Sequence, residues 1–341
     1  MNKLSQIILD DAKGIASVPT FSKLDRKTIL ITGATGLIGT YLVASLKTMS
    51  DRLKIKPRMI AVGHGKPPSY FKDLLPKDSK IITGDLSDDK FLEKLPRADY
   101  IIHAAGYGQP GKFLGDPVKT IKLNVAATSA TMEKLKPDGK YLFLSSSEVY
   151  SGSKKIPYKE DDIGTTTPMH KRSCYIEGKR CGEAVCAAYH ERGRNVHIAR
   201  TSLVYGPGTR KDDARVLNSF IRKGLTGKIE LMDAGKAKRT YCYATDAAEM
   251  FWNILLNGSD LSYNVGGIDK ITIAGLANKI GKILSVPVII PKAGQALAGA
   301  PEDVWLDLSK IKNEFRKNEF VNLDRGLNKT VEWQKVLYAD N

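Results

Sequence analysis

The chain has 341 residues, of which 42% are hydrophobic and 26% charged, the balance of an ordinary soluble globular protein rather than a disordered or fibrous one. No apolar run approaches the ~20 residues that span a bilayer, and the four cysteines, Cys174, Cys181, Cys186 and Cys242, lack paired metal-ligand spacing, so no metal site is expected. A formal net charge of +16 raises the question of nucleic acid. The lysines are scattered, however, as at Lys54, Lys56, Lys72, Lys77 and Lys80, with no long basic run and no nucleic-acid-binding signature, so the basic surface suits an anionic small molecule better.

Residues 1–27 read as an N-terminal arm. Met1 to Thr20 carry Asp10 and Asp11 and lack the basic start, apolar middle and small-residue cleavage site of a signal peptide, which points to a cytoplasmic protein with no membrane partner. An apolar run at Thr28–Thr32 then leads through glycines into an amphipathic stretch, Leu37–Met49: strand, tight turn, helix. Short apolar runs follow at Met59–Val62, Lys80–Thr83, Tyr100–Ala104, Tyr141–Leu144 and Val196–Ala199, with helix-length stretches such as Val118–Leu135 and Ile176–Glu191 between them. Short strands alternating with helices predict an α/β fold, a doubly wound parallel sheet of Rossmann type over residues 28–201. Beyond it, Gly206-Pro207-Gly208 breaks the chain. Helical patterns at Val216–Gly224, Ala247–Leu256 and Ile273–Leu284 mark a smaller, mainly helical substrate-binding lobe over 202–341, with a return strand at Tyr263–Val265 rejoining the sheet.

The first turn reads Gly33-Ala34-Thr35-Gly36-Leu37-Ile38-Gly39. Glycines there let the backbone approach a pyrophosphate at a helix N-terminus, and the place after an apolar strand makes this a dinucleotide site. The second strand ends Val62-Gly63-His64-Gly65-Lys66, without the acid that usually holds the adenosine ribose of NAD. His64 or Lys66 would instead accept a 2′-phosphate, which leaves NADP open beside NAD. Asp85 and Leu86 after the third strand are placed for an adenine contact. Ala104, Ala105 and Gly106 leave room for the dinucleotide, whereas His103 reads as a packed strand residue.

Tyr175 and Lys179 stand four apart at the start of a predicted helix and share a face. A free phenol has a pKa of about 10, and a nearby ammonium and nicotinamide cation would favour its phenolate; a drop of about three units is worth roughly 4 kcal/mol. Ser145-Ser146-Ser147 ends the fifth strand upstream. Glycine turn, serine and Tyr-x-x-x-Lys, in this order, resemble the short-chain dehydrogenase/reductase superfamily.

The resemblance narrows to UDP-glucuronate decarboxylases. Ser146-Ser147-Glu148-Val149-Tyr150 is similar to their Thr-Ser-Glu-Val-Tyr, and Arg172-Ser173-Cys174-Tyr175-Ile176-Glu177-Gly178-Lys179-Arg180 to their Arg-Ala-Cys-Tyr-Asp-Glu-Gly-Lys-Arg. Asp116-Pro117-Val118-Lys119-Thr120-Ile121-Lys122-Leu123-Asn124 resembles their Asn-Pro-Ile-Lys-Thr-Leu-Lys-Thr-Asn, and Asp213–Val216 and Lys238–Tyr241 are similar to segments lining the sugar-nucleotide site. The likeness implies Tyr175 as base at the sugar 4-hydroxyl, Ser146 hydrogen-bonded to that oxygen, and Lys179 and Asn124 beside the cofactor. It also implies Glu148 and Arg239 assisting loss of carbon dioxide, Ser147, Lys122, Arg172 and Arg215 on the nucleotide sugar, and a homodimer built through the helices 118–135 and 176–191.

Two positions depart from that pattern: Leu203 stands where an asparagine usually faces the diphosphate, and the acid near Gly63 is missing. A 4,6-dehydratase of the GDP-mannose type, which also carries Thr-Ser-Glu, remains open. So do a 4-epimerase or 4-dehydrogenase and a catalytically idle dinucleotide sensor. The thymidine-linked dehydratases carry Asp-Glu where this chain has Ser147-Glu148, which removes the acid needed at the departing hydroxyl.

Overall fold

The structure, a computed structural model, describes residues 2–15, 18, 20–292 and 303–339. An N-terminal helix, α1 (Lys3–Ala12), precedes β1 (Thr28–Thr32), α2 (Leu37–Leu53), β2 (Arg58–Gly63), β3 (Lys80–Thr83), α3 (Asp89–Glu93), β4 (Ala98–His103), α4 (Pro110–Gly115), α5 (Pro117–Asn124), α6 (Ala126–Met132), β5 (Leu135–Ser146), α7 (Ser173–Glu191) and β6 (Asn195–Thr201). The remainder runs β7 (Leu203–Tyr205), α8 (Val216–Leu225), β8 (Ile229–Glu230), β9 (Lys238–Tyr243), α9 (Ala244–Asn257), β10 (Ser262–Val265), β11 (Lys270–Thr272), α10 (Ile273–Leu284), β12 (Val288–Ile289), β13 (Asp303–Val304), α11 (Ser309–Phe315) and α12 (Leu323–Ala339).

Seven strands form one parallel sheet in the order β10-β6-β5-β4-β1-β2-β3, the doubly wound architecture expected. Its central strands are apolar at their middles, as at Ile29–Ile31, Ile101–Ile102 and Tyr141–Leu144, because both faces are covered. On one face Ile29, Ile31, Ile102 and Leu142 pack with α1, α2 and α9. On the other, Leu30, Ile101, Tyr141 and Phe143 pack with residues of α3, α5, α6 and α7. The chain leaves β1 toward β2 and β3, then returns to β4 on β1's other side. That reversal opens a crevice at the carboxyl ends of β1 and β4, where ligands of such sheets bind.

Three features differ from the sequence expectation. The stretch expected as one helix over 118–135 is two short helices, α5 and α6, interrupted at Val125 (φ −110°, ψ −68°); β5 already begins at Leu135. The break lets α7 approach closely: a Cβ on Gly182 would lie 2.6 Å from the Asn124 carbonyl oxygen. The C-terminal half is less helical than expected, since β7, β9, β11 and β13 make a small sheet of their own beside α8, α10 and α12. β9 is buried on both faces from Thr240 onward, so it shows no alternation to betray a strand.

The N-terminal segment is also more than an arm. Leu4, Ile8, Leu9 and Ala12 of α1 enter the main core, and buried Asp11 accepts hydrogen bonds from the Tyr41 and Tyr243 hydroxyls, each at 2.7 Å, while pairing with Lys329 of α12. One carboxylate thus ties α1 to α2, β9 and α12. Asp11→Ala strands two buried hydroxyls and a lysine, and is expected to cost about 2–3 kcal/mol of unfolding free energy. Urea denaturation checks this; an unchanged midpoint would contradict the clamp.

Candidate active site

The crevice between β1 and β4 is a cavity of about 330 Å³. Its floor is the turn after β1. Gly33 sits at φ +66°, and a Cβ there would lie 2.7 Å from the Ala104 carbonyl oxygen, so only glycine lets the turn pass the end of β4. A Cβ on Gly39 would overlap the Gly33 carbonyl. Gly36 precedes α2 and supplies no side-chain cap, which leaves the helix's first N–H groups directed at the cavity. Thr35, Gly36, Leu37, Ile38, His64, Asp85, Leu86, Ala104, Ala105 and Gly106 line it with Gly33 and Gly39. A backbone cradle that no side chain fills, at a helix N-terminus, fits a dinucleotide pyrophosphate.

The adenosine end differs in detail from the sequence reading. Lys66 is exposed and outside the cavity lining; His64 lines it, also exposed. Asp85 accepts from Ser87 at 2.7 Å and from Lys119 at 2.6 Å. Burial works against the Asp85 carboxylate, but Lys119 and Ser87 hold its pKa down at about 2. Lys119, not Lys122, is therefore the α5 lysine at the cavity. Lys122 is exposed and outside the cavity lining.

At its other end the cavity meets α7. A Cβ on Gly106 would stand 3.7 Å from Lys179 Nζ and 3.6 Å from Asn124 Oδ1. Asn124 is buried, donates through Nδ2 to the Thr120 carbonyl at 2.8 Å, and keeps Oδ1 without a protein partner. Lys179 is buried too, donates to the Leu144 carbonyl at 2.6 Å and lies 4.7 Å from the Phe143 ring centroid. Burial pushes its pKa down to about 8, opposed by Glu183. His103 is a packed strand residue, bonded to Thr32 Oγ1 at 2.7 Å and to the Leu123 carbonyl at 3.1 Å, and burial holds its pKa near 4.

Tyr175 lies one turn before Lys179 with Ser146 in hydrogen-bonding reach of its hydroxyl. The phenol's pKa is raised by burial; Ser146, Arg172 and Arg215 pull the other way. The protein alone does not produce the low phenol pKa expected from the Lys179 ammonium, whose Nζ is 6.0 Å from the tyrosine ring centroid. Phe113 stacks on that ring at 4.7 Å and Arg172 lies over Phe113 at 5.2 Å, two contacts with no signature in the sequence.

The charged side chains around Tyr175 are paired in a way the sequence did not indicate. Glu148, which follows the Ser146–Ser147 step into a short 3-10 turn, forms a two-pronged ion pair with Arg172. Arg239, half-buried at the start of β9, donates to the Lys238 carbonyl at 2.7 Å and feels both Glu148 and Arg172. Burial lowers its pKa from the usual guanidinium range. Arg172 is thus no loose surface charge. Arg215 grips Asp213 with bonds of 2.6 and 3.0 Å, and both line the cavity. Leu203 sits on β7 against the lobe's apolar core, and Arg215 Nη1 reaches the carbonyl of the next residue, Val204, at 3.5 Å. Tyr107, Gln109, Lys112 of α4 and Arg210 also line the cavity, and no local pattern signals their approach to the crevice.

The Lys179 environment carries a pH signature. Its native pKa of about 8 lies below the 10.5 of a free lysine. Between those values the unfolded chain holds a proton that the native protein has released, so the lysine's contribution to stability rises with pH. Lys179→Met lacks this gain. The wild-type unfolding free energy minus that of the variant is expected to grow by about 3 kcal/mol across the window. Urea unfolding of both proteins at either end of it checks the sign; a flat difference would contradict it.

The family described as NAD dependent epimerase/dehydratase matches residues 29–266. The chain is 31% identical over 307 residues to UDP-glucuronic acid decarboxylase 6 of Arabidopsis thaliana, covering 88% of this chain and 86% of that protein. It is 27% identical over 334 residues to UDP-glucuronic acid decarboxylase 1 of Danio rerio, covering 97% of this chain and 78% of the relative. An epimerase of Methanothermobacter thermautotrophicus has the same fold, with a TM-score of 0.81 at 19% identity over 98% of this chain and 96% of its own. The matched span holds the glycine turn, Ser146, Tyr175, Lys179 and Arg239, and this chain belongs to the NAD-dependent epimerase/dehydratase family, with NAD as its cofactor.

Proposed function

We propose that the protein is a UDP-glucuronate decarboxylase that oxidises the sugar transiently at its 4-position and releases a UDP-pentose, UDP-xylose. The observation that carries this reading is the cluster beside Tyr175: two guanidiniums, Arg172 and Arg239, around one carboxylate, Glu148. Partly desolvated guanidiniums suit a substrate carboxylate far better than a neutral hexose. The relatives' names agree with a uronate substrate.

In this mechanism the glycine cradle, the first turn of α2 and Gly106 hold NAD, which supplies a reversible two-electron oxidation and leaves the overall reaction redox-neutral. Tyr175 takes the proton of the sugar 4-hydroxyl, and Ser146 holds the same oxygen. The resulting 4-keto sugar is a β-keto acid, whose ketone accepts the electrons released as the carboxylate leaves. Arg239 engages that carboxylate, and Glu148 assists protonation at the carbon it vacates. Lys179 keeps positive charge near Tyr175, and Arg215 serves the diphosphate in place of the asparagine replaced by Leu203. Exposed Val118 and Ile121 on α5, which packs on α7, support a homodimer closed through these helices.

The decisive experiment offers UDP-glucuronate, UDP-glucose, dTDP-glucose and GDP-mannose in parallel, read by mass spectrometry. UDP-glucuronate is expected to lose carbon dioxide with no net NADH. Arg239→Ala should slow that step at least about a hundredfold, because a buried carboxylate is left unmatched, and Tyr175→Phe should bind NAD without turnover. Loss of water from a neutral hexose, with UDP-glucuronate returned intact, would replace the decarboxylase by a 4,6-dehydratase. Light scattering is expected at twice 37.4 kDa; a monomer at working concentration would exclude the dimer.

A further inference from the structure

Beyond Tyr175 and Lys179, helix α7 presents a third polar residue at the same spacing. Tyr175, Lys179 and Glu183 stand four apart on one face, and each meets the end of β5: Tyr175 at Ser146, Lys179 at the Leu144 carbonyl, and Glu183 at the Ser145 hydroxyl. The last contact is short, 2.5 Å, and Ser145 and Glu183 have no place in the reaction derived above. Glu183 is itself locked. Arg200 of β6 donates to both its oxygens at 2.8 and 3.1 Å, and the two side chains are only 15% and 11% exposed. Arg200 is fixed in turn by the Tyr150 hydroxyl at 3.0 Å and the Glu160 carbonyl at 2.6 Å, and Tyr150 by Asn264 of β10 at 2.7 Å.

We propose that Glu183, held by Arg200, is a positioning residue for the Tyr175–Lys179 machinery: it sets the register of β5 against α7 and keeps the Lys179 ammonium charged. The geometry makes both roles one. Leu144, Ser145 and Ser146 are consecutive, so fixing Ser145 to Glu183 also fixes the carbonyl that receives Lys179 and the hydroxyl that faces Tyr175. The other groups around Lys179 do not substitute for that carboxylate. His103 on β4 is neutral at physiological pH, Cys186 on α7 is held as the thiol by burial, Tyr175 is a neutral phenol, and Asn124 on α5 carries no charge. Glu183 is therefore the anion that opposes the desolvation of Lys179.

This inference rests on the reading of Tyr175 and Lys179 as the reacting pair, and its test separates the two. The full-length protein labelled with 13C at lysine Cε gives one titration midpoint well below the rest, assigned by its loss in Lys179→Met. In Glu183→Gln, which is isosteric and still accepts from Ser145, that midpoint is expected to fall by about half a unit or more, and the alkaline limb of the kcat profile for UDP-glucuronate should move with it while KM stays within about twofold. Glu183→Asp restores the charge and is expected to return the midpoint toward wild type. An unmoved midpoint, with only a lowered melting temperature, overturns the proposal and leaves the ion pair as a structural strut. Where Glu183→Gln does not fold, Ser145→Ala cuts the same rung without stranding a charge; an unchanged kcat there also overturns it. If the midpoint moves as stated but wild-type enzyme leaves UDP-glucuronate untouched, the positioning role stands and the decarboxylase reading falls.

Discussion

A lysine ammonium buried against the end of a β-strand is the constraint around which this site is arranged. Lys179 donates to one carbonyl and lies over the Phe143 ring, and burial, opposed by Glu183, moves its pKa from 10.5 to about 8. Holding a cation under those conditions requires close backbone packing, with Glu183 as the anion that opposes its desolvation. The glycines of α7 and the break between α5 and α6 provide the packing. A Cβ at Gly182 would meet the Asn124 carbonyl and the Phe143 ring, and Gly178 faces the Asn124 side chain. Those same contacts bring Asn124, Gly106 and Lys179 to the far end of the cofactor cavity.

The tyrosine's state follows from the same arrangement. Burial raises the Tyr175 phenol, and the guanidiniums of Arg172 and Arg215 only partly offset this. The side chains alone therefore leave Tyr175 a neutral phenol at neutral pH. In the proposed reaction a cationic nicotinamide ring beside it would supply further positive charge, which would couple the base to cofactor binding.

The sheet was legible because each strand is a short apolar run bounded by polar turns, and β1 and β3 begin and end where the run does. The glycine turn was legible for a different reason: its residues are demanded by backbone clearance at Ala104, which is independent of distant sequence. What resisted reading depends on tertiary choice. Nothing local separates Lys119 from Lys122 as the cavity residue, since only the folded chain brings Asp85 to Lys119. Val125 ends α5 without proline or glycine, so no local breaker marks the end of the helix. Glu148 was read through its likeness to a residue that assists loss of carbon dioxide, yet its partner, Arg172, lies a long loop away and only the folded chain brings them together. The small sheet around β9 escaped because a strand buried on both faces has no period-two pattern to show.

The pairing of Glu148 with Arg172 also bears on how a site can be strongly attractive to an anion and still be stable when it is empty of one. Arg172 is costly to desolvate, and its two-pronged pair with Glu148 offsets that cost while no ligand is bound. Arg239 feels both members of that pair, so the same carboxylate eases its desolvation. In the proposed reaction an incoming uronate adds a carboxylate to this cluster, and loss of carbon dioxide removes it again. The guanidiniums favour the anionic substrate over the neutral sugar left behind, so decarboxylation would itself weaken the grip on the product.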